Sequence, residues 1–253
     1  MFQTNFETGG IHKLLYQNNL IHGKDYFTAN YTRTLLDKFV GEYEDIYNNN
    51  FSSKSSVSII YDGAGIQVKI GEKCSGLYFL VFHGSKCEFL DSITASKSTI
   101  HVWYEAYLYV KNAVSMAESE LSVLSFSKML IGEDVMMANH QMIYSGDGHP
   151  IFVKDENGNY KLINDCTKDF VEIGDHVWIG YGSKVLSGSK IGSGSIVGAG
   201  SLVNKKFPNN VLIVGSPAKI IKRNVAWCRN VLFKDISRDE KVFENYVKDT
   251  IEE

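Results

Sequence analysis

Proline, paired cysteines, excess charge and long apolar runs are all scarce in this chain. Of the three prolines, Pro208 and Pro217 fall close together in the last fifth of the sequence. Cys74, Cys87, Cys166 and Cys228 are widely spaced and contain no CxxC pair, which removes zinc-knuckle and thioredoxin-like readings. A chain of 253 residues buries a core without disulfide staples, so these cysteines read as free thiols. The net charge of −3 gives no bulk electrostatic case for a nucleic-acid partner. No apolar segment approaches membrane-spanning length. Glu7, His12 and Lys13 interrupt the N-terminus where a secretory signal would be apolar. Composition therefore points to a cytoplasmic globular protein without a membrane span.

What the sequence does contain is a count of six. From residue 173 it reads IGDHVW, IGYGSK, VLSGSK, IGSGSI, VGAGSL, and a sixth unit opens at Val203. A branched aliphatic residue stands at 173, 179, 185, 191, 197 and 203, and glycine follows it in four of the first five units. A small or β-branched residue occupies the fifth place: Val177, Ser183, Ser189, Ser195, Ser201. A six-residue period is too short for helical repeats and suits a parallel β-helix. The aliphatic residue stacks inward on its copy in the next coil. The following glycine is expected to tolerate a tight corner, and the fifth residue fits where the wall is narrow. Three hexads close a triangular coil, so 173–208 predicts two complete coils. Phased aliphatics exclude a Gly/Ser-rich linker.

The same count starts at Ile131 with IGEDVM and MANHQM and reaches an inward position at Ile143, then breaks. Residues 144–170 hold DGHP, KDENGNY and a second polar run, and read as an inserted loop of the kind that carries function. Upstream, period-two segments such as Ile66, Val68, Ile70 and Leu77, Phe79, Val81 make 57–130 irregular early strands of the same prism. Leu35, Leu36, Phe39, Val40, Tyr43, Ile46 and Tyr47 share a helical face within 31–47, and 48–56 reads as a polar linker. Beyond residue 224 the pattern is helical, with Val242, Phe243, Tyr246, Val247 and Ile251 forming an apolar stripe. The expected organisation is an N-terminal helical region (1–56), a β-helix domain (57–223) and a C-terminal helical tail (224–253).

Three motifs lie around the repeat: Gly146-Asp147-Gly148-His149-Pro150 in the loop, His176-Val177-Trp178-Ile179-Gly180 where the count resumes, and Gly215-Ser216-Pro217-Ala218-Lys219 at its end. With the hexads they resemble the hexapeptide-repeat acyltransferases, and within them the O-acetyltransferases that include bacterial capsule and polysialic acid enzymes. The resemblance covers about 131–223. It implies a mainly β fold, a left-handed parallel β-helix, a homotrimer with its clefts between prisms, and acetyl-CoA as acyl donor to a carbohydrate acceptor. It also implies that His149 is the general base. A sugar hydroxyl attacks a thioester only as its proton leaves, and an imidazole titrating near neutrality is suited to take it.

Asp147 is placed to orient His149 or to contact the acceptor; an ordinary Asp-Gly turn accounts for it equally well. The family's Asp or Asn partner of the histidine has candidates by residue type alone in Asn112 and Asn139. Trp178, sixth in its hexad, points outward, where its indole can stack on a sugar or cover the pantetheine arm. The resemblance assigns the acyl-CoA wall to Tyr181, Ala199, Gly200, Asn204, Lys205 and Lys222, the two lysines meeting phosphates. Tyr181 and Asn204 depart from the small hydroxyl residue and the threonine usual there.

No metal is expected. The prism-shaped carbonic anhydrases need three zinc-binding histidines, two of them five apart, and none of the seven histidines here has that spacing. His176 reads as a surface residue. Two alternatives share the prism: an N-acetyltransferase acting on an amino-sugar nucleotide, and a β-helix binding module without catalysis. Acceptor assays separate the first, and absence of acetyl-CoA affinity would mark the second.

Overall fold

The computed structural model describes residues 57–62, 66–71, 74–164 and 170–229. The expected helix at 31–47, the linker at 48–56 and the apolar stripe at 242–251 lie outside them. The described residues form 22 strands and no helix. All but two of the strand pairings are parallel, and together they stack as a three-walled parallel β-helix.

The first wall stacks β2 (Gln67–Ile70), β4 (Lys86–Phe89), β6 (Tyr107–Val110), β9 (Lys128–Ile131), β14 (Phe170–Ile173), β17 (Ser189–Ile191) and β20 (Lys206–Phe207). The second wall stacks β7 (Ser115–Ala117), β10 (Met136–Asn139), β15 (Trp178–Ile179), β18 (Ile196–Val197) and β21 (Val211–Gly215), and is closed by β22 (Ala218–Arg223), antiparallel to β21. The third stacks β1 (Val57–Asp62), β3 (Ser75–Phe82), β8 (Glu120–Val123), β11 (Met142–Tyr144), β16 (Lys184–Val185) and β19 (Leu202–Val203). β5 (Thr94–Val102) joins the last two walls. Its first residues pair with β7 and its last with β8, and it bends at Lys97, where φ is 50°.

The predicted inward stacks are present. On the first wall Ile131, Ile173 and Ile191 are in register, on the second Met137, Ile179 and Val197, on the third Ile143, Val185 and Val203. All nine are buried. Successive strands are buried because each wall has coils above and below it and the core inside, which is why the inward residues read as branched aliphatics. Ser183, Ser189 and Ser195 are also buried, and each hydroxyl donates to a backbone carbonyl of the following coil. A small polar residue is thus satisfied at a corner too narrow for a larger one.

Two expectations are corrected. The glycine after each aliphatic residue is not a left-handed corner. Positive φ falls at the fourth hexad place instead, as at Gly182 (65°) and Gly194 (71°). Gly174 is needed for close approach, since a Cβ there would lie 2.6 Å from the backbone nitrogen of Ser193 in the next coil. The sixth unit is also short. Phe207, not residue 209, stacks on Ile191, so the second coil closes at Lys206, two residues early.

The early coils explain why no count of six was visible before Ile131. Val110 stacks on Phe89 and Ile131 on Val110, one coil every 21 residues, so the corners carry extra residues that hide the period. Residues 224–229, expected to begin a helix, are neither helix nor strand, and Asn224 is left-handed (φ 57°).

Candidate functional site

The insertion leaves the prism at the corner between the third and first walls. Tyr144 ends β11, and the buried Ser145 accepts the backbone N–H of Leu124 at 3.0 Å and exchanges a short hydrogen bond with Ser127. The chain then projects as an antiparallel hairpin, β12 (Phe152–Lys154) and β13 (Tyr160–Leu162). Its tip is an Asp155 turn in which the carboxylate accepts the N–H groups of Asn157 and Asn159, with Gly158 at φ 86°. Every residue of both strands is exposed, Tyr160 to 72%.

His149 is exposed at the base of this arm. Its backbone is fixed by a residue that sequence reasoning missed, Asn164. The Asn164 amide nitrogen donates to the His149 carbonyl (3.1 Å) and to the Asp147 carboxylate (2.8 Å), while its oxygen accepts the Ile151 N–H (2.6 Å). Asn164 lies in a featureless polar run, and its partners are 13 to 17 residues away, so no local signal marks it. Asp147 is thus tied to Asn164. Asn112 and Asn139, the candidates by type, are engaged elsewhere: Asn112 accepts the Asp91 N–H, and Asn139 donates to Glu118 at 3.4 Å.

Trp178 projects outward from the second wall and is 37% exposed. Behind it lies a second arrangement the sequence did not announce. His176 is a correction to the surface reading: it is buried, 4% exposed, at a left-handed corner (φ 53°) where neighbouring coils carry Gly194 and Asn210. Its Nδ1 lies 2.6 Å from the Asp134 carboxylate and its Nε2 2.9 Å from the Trp227 carbonyl, and its ring stacks on the Trp227 indole at 4.2 Å. Trp227 Nε1 donates back to the His176 carbonyl. Arg229 donates to Asp134, to Ser115 and to the carbonyls of Ala113 and Val135. Burial raises the Asp134 carboxyl, but the bonds from His176 and Arg229 outweigh it and hold the group below the ordinary carboxylate value. This latch pins the segment after β22 to the prism and places the Trp227 indole 6.0 Å from that of Trp178.

The remaining predicted residues fall into two groups. Tyr181, Ala199 and Gly200 share the corner between the second and third walls: the Gly200 N–H donates to the Tyr181 carbonyl, and all three are exposed. The Tyr181 ring meets His140 edge-on at 5.1 Å. Lys222, exposed on β22, closes the second wall. Asn204 and Lys205 are exposed at the third-to-first corner, the same edge from which the His149 arm leaves, and the Lys205 ammonium lies over Phe207. One chain therefore displays His149 and Lys205 along one edge and Trp178, Tyr181, Ala199, Gly200 and Lys222 around another, with the third wall between them. Among the described residues no three His, Cys, Asp or Glu side chains are grouped to hold a metal ion.

With this geometry in view, the repeat can be placed. Residues 170–205 match the bacterial transferase hexapeptide family (six repeats), and the chain carries that family's repeat. Over 118 residues it is 43% identical to the polysialic acid O-acetyltransferase of Escherichia coli O1:K1 / APEC, a match covering 47% of this chain and 37% of that protein. It is 38% identical over 140 residues to the polysialic acid O-acetyltransferase of Neisseria meningitidis, covering 55% of this chain and 63% of that one. The chain thus spans less than two thirds of the length of these curated relatives. Among solved structures, the polySia specific acetyltransferase NeuO superimposes with a TM-score of 0.56 at 24% identity, over 77% of this chain and 98% of that one, and shares the fold.

Proposed function

We propose that this chain is an O-acetyltransferase that moves acetyl from acetyl-CoA to a hydroxyl of a bacterial surface carbohydrate. The observation that carries the reading is His149, displayed at the base of an arm by the Asn164 clamp, beside a repeat wall similar to that of acetyltransferases. In this reading the His149 imidazole takes the acceptor proton as the hydroxyl oxygen bonds to the thioester carbonyl carbon. The tetrahedral intermediate then expels the thiolate, which receives the proton from His149. Direct transfer is favoured because the two buried thiols among the described residues, Cys74 and Cys87, are held protonated by burial and face the core.

Trp178 supplies an exposed indole for the acceptor or the pantetheine arm, and its N–H or a backbone N–H meets the developing oxyanion. Tyr181, Ala199 and Gly200 offer a small-residue corner for pantetheine, and Asn204, Lys205 and Lys222 offer polar and cationic ends for phosphate. Because one chain separates His149 from Trp178, the site is completed between copies. We take the assembly as a homotrimer of left-handed prisms in the cytoplasm.

Free-thiol release from acetyl-CoA over a panel of polysaccharides and nucleotide sugars, followed by location of the acetyl group, tests the reaction. His149→Ala is expected to lower acceptor-dependent release by about 10²–10⁴-fold with the fold retained. A folded His149→Ala variant working at wild-type rate would overturn the assignment.

A further inference from the structure

The outer face of the third wall carries a groove of about 620 Å³, within the range of small-molecule and saccharide sites. It runs across three coils. Tyr78 and Leu80 of β3, Thr99 and His101 of β5 and Glu120 of β8 form its floor, with Tyr78, Thr99 and Glu120 in one register row. Lys97, Glu118 and His140 form its side at the corner.

Its position ties it to the proposed chemistry. Tyr144, the last strand residue before the His149 arm, donates its hydroxyl to Glu120 at 2.5 Å, and burial together with that bond pushes the phenol up to about 12, so it stays a donor. At the other end, His140 pairs with Glu118 at 3.1 Å and meets Tyr181 edge-on. The groove thus lies between the edge bearing His149 and the corner bearing Tyr181.

Its chemistry is that of a surface for hydroxyl groups. Tyr78 and His101 are half-buried, and neither side chain has a hydrogen-bond partner among the described residues. Burial lowers His101, with the Glu120 charge opposing, so at neutral pH its ring offers one donor and one acceptor. The aromatic rings suit the apolar faces of sugars. The charges in the groove are the carboxylates of Glu118 and Glu120 against Lys97, whose ammonium lies 3.7 Å from Glu118. The balance is neutral to negative, which disfavours a polymer with a carboxylate on every residue.

We infer that this groove binds a neutral stretch of the acceptor glycan, next to the residue presented to His149. This rests on the carbohydrate reading above and narrows it, away from a polyanionic segment at this wall.

Saturation-transfer NMR and titration of the full chain with hexasaccharides of glucose, galactose and N-acetylglucosamine, and with a sialic acid hexamer, test it. At least one neutral hexamer is expected to bind at least about tenfold tighter than the sialic acid hexamer. The double variant Tyr78→Ala/His101→Ala weakens the neutral hexamer about tenfold or more while leaving the thermal shift produced by CoA unchanged, which also shows that it folds. Glu120→Lys reverses the preference. No binding of any neutral hexamer, equal or tighter binding of the sialic acid hexamer, or an unaffected double variant would each overturn the inference. If the groove alone is wrong, CoA binding and His149-dependent thiol release persist. If the acetyltransferase reading is wrong, the CoA shift is lost whether or not the neutral hexamer binds.

Discussion

At the residue scale, two positions with ordinary sequence signals have unexpected duties. Gly174 is held by the backbone of the next coil, so Gly174→Ala is expected to destabilise the protein by about 1–3 kcal/mol, as overpacked sites do. Urea unfolding checks it, with Gly182→Ala, which meets open space but keeps a positive φ, as the comparison for backbone strain. Asp134 is the second. Its folded carboxyl titrates below the ordinary value, so it stabilises the fold fully above the unfolded carboxylate range. That contribution disappears as the pH falls through the lowered folded value. Asp134→Asn should lose stability at neutral pH and converge with the parent in acid, which melting curves across pH will show. His149 is proposed from the sequence because a Gly-His-Pro run in a broken repeat stands out. Asn164 was not, because an asparagine acquires its role only when the hairpin folds it back onto residues 147–151.

Between single residues and the whole prism, the segment that follows β22 is the most informative element. Residues 224–229 have no regular structure, yet Trp227 and Arg229 fix them to the corner at Asp134 and His176. Trp227→Ala removes a nearly buried indole stacked on His176 and is expected to cost about 3–5 kcal/mol. It should also alter the fluorescence of Trp178, 6.0 Å away. A Trp227→Ala protein with the parent's stability and Trp178 emission would show that the latch supports nothing. The exposed arm of β12 and β13 behaves oppositely, since its strands bury little in the chain itself. Asn164→Ala is therefore expected to lower transfer through looser placement of His149 while leaving the melting temperature almost unchanged, a split that kinetics and calorimetry resolve.

On the scale of the whole molecule, the inward stacks form one continuous core along the prism. Ile179→Ala opens a cavity behind the second wall and is expected to cost about 2–5 kcal/mol in chemical denaturation. In the proposed reading, the separation of His149 and Trp178 by an entire wall ties activity to assembly. Light scattering of the full chain is expected to give a trimer, and dilution that dissociates it should abolish transfer. An active monomer would require both residues to act on one chain and would contradict the geometry.

The sequence alone specified the β-helix from Ile131 on, because a solenoid repeats one environment and its inward position takes apolar side chains, branched aliphatics in most hexads and Met137 and Phe207 in the others. It also marked where that repetition fails, and so where His149 lies. It marked the early coils only as irregular strands of the same prism, because 21 residues per turn blur the period, and it did not reveal the true role of the second-place glycines, which is a contact between coils. His176 shows the limit most plainly. In the sequence it is a polar residue at a corner, but the tertiary structure brings Asp134 and Trp227 to it from 42 and 51 residues away and buries it. Periodicity reports what neighbouring coils share. Contacts made by departures from the repeat, such as the latch, the Asn164 clamp and the groove on the third wall, exist only after distant segments have been folded together.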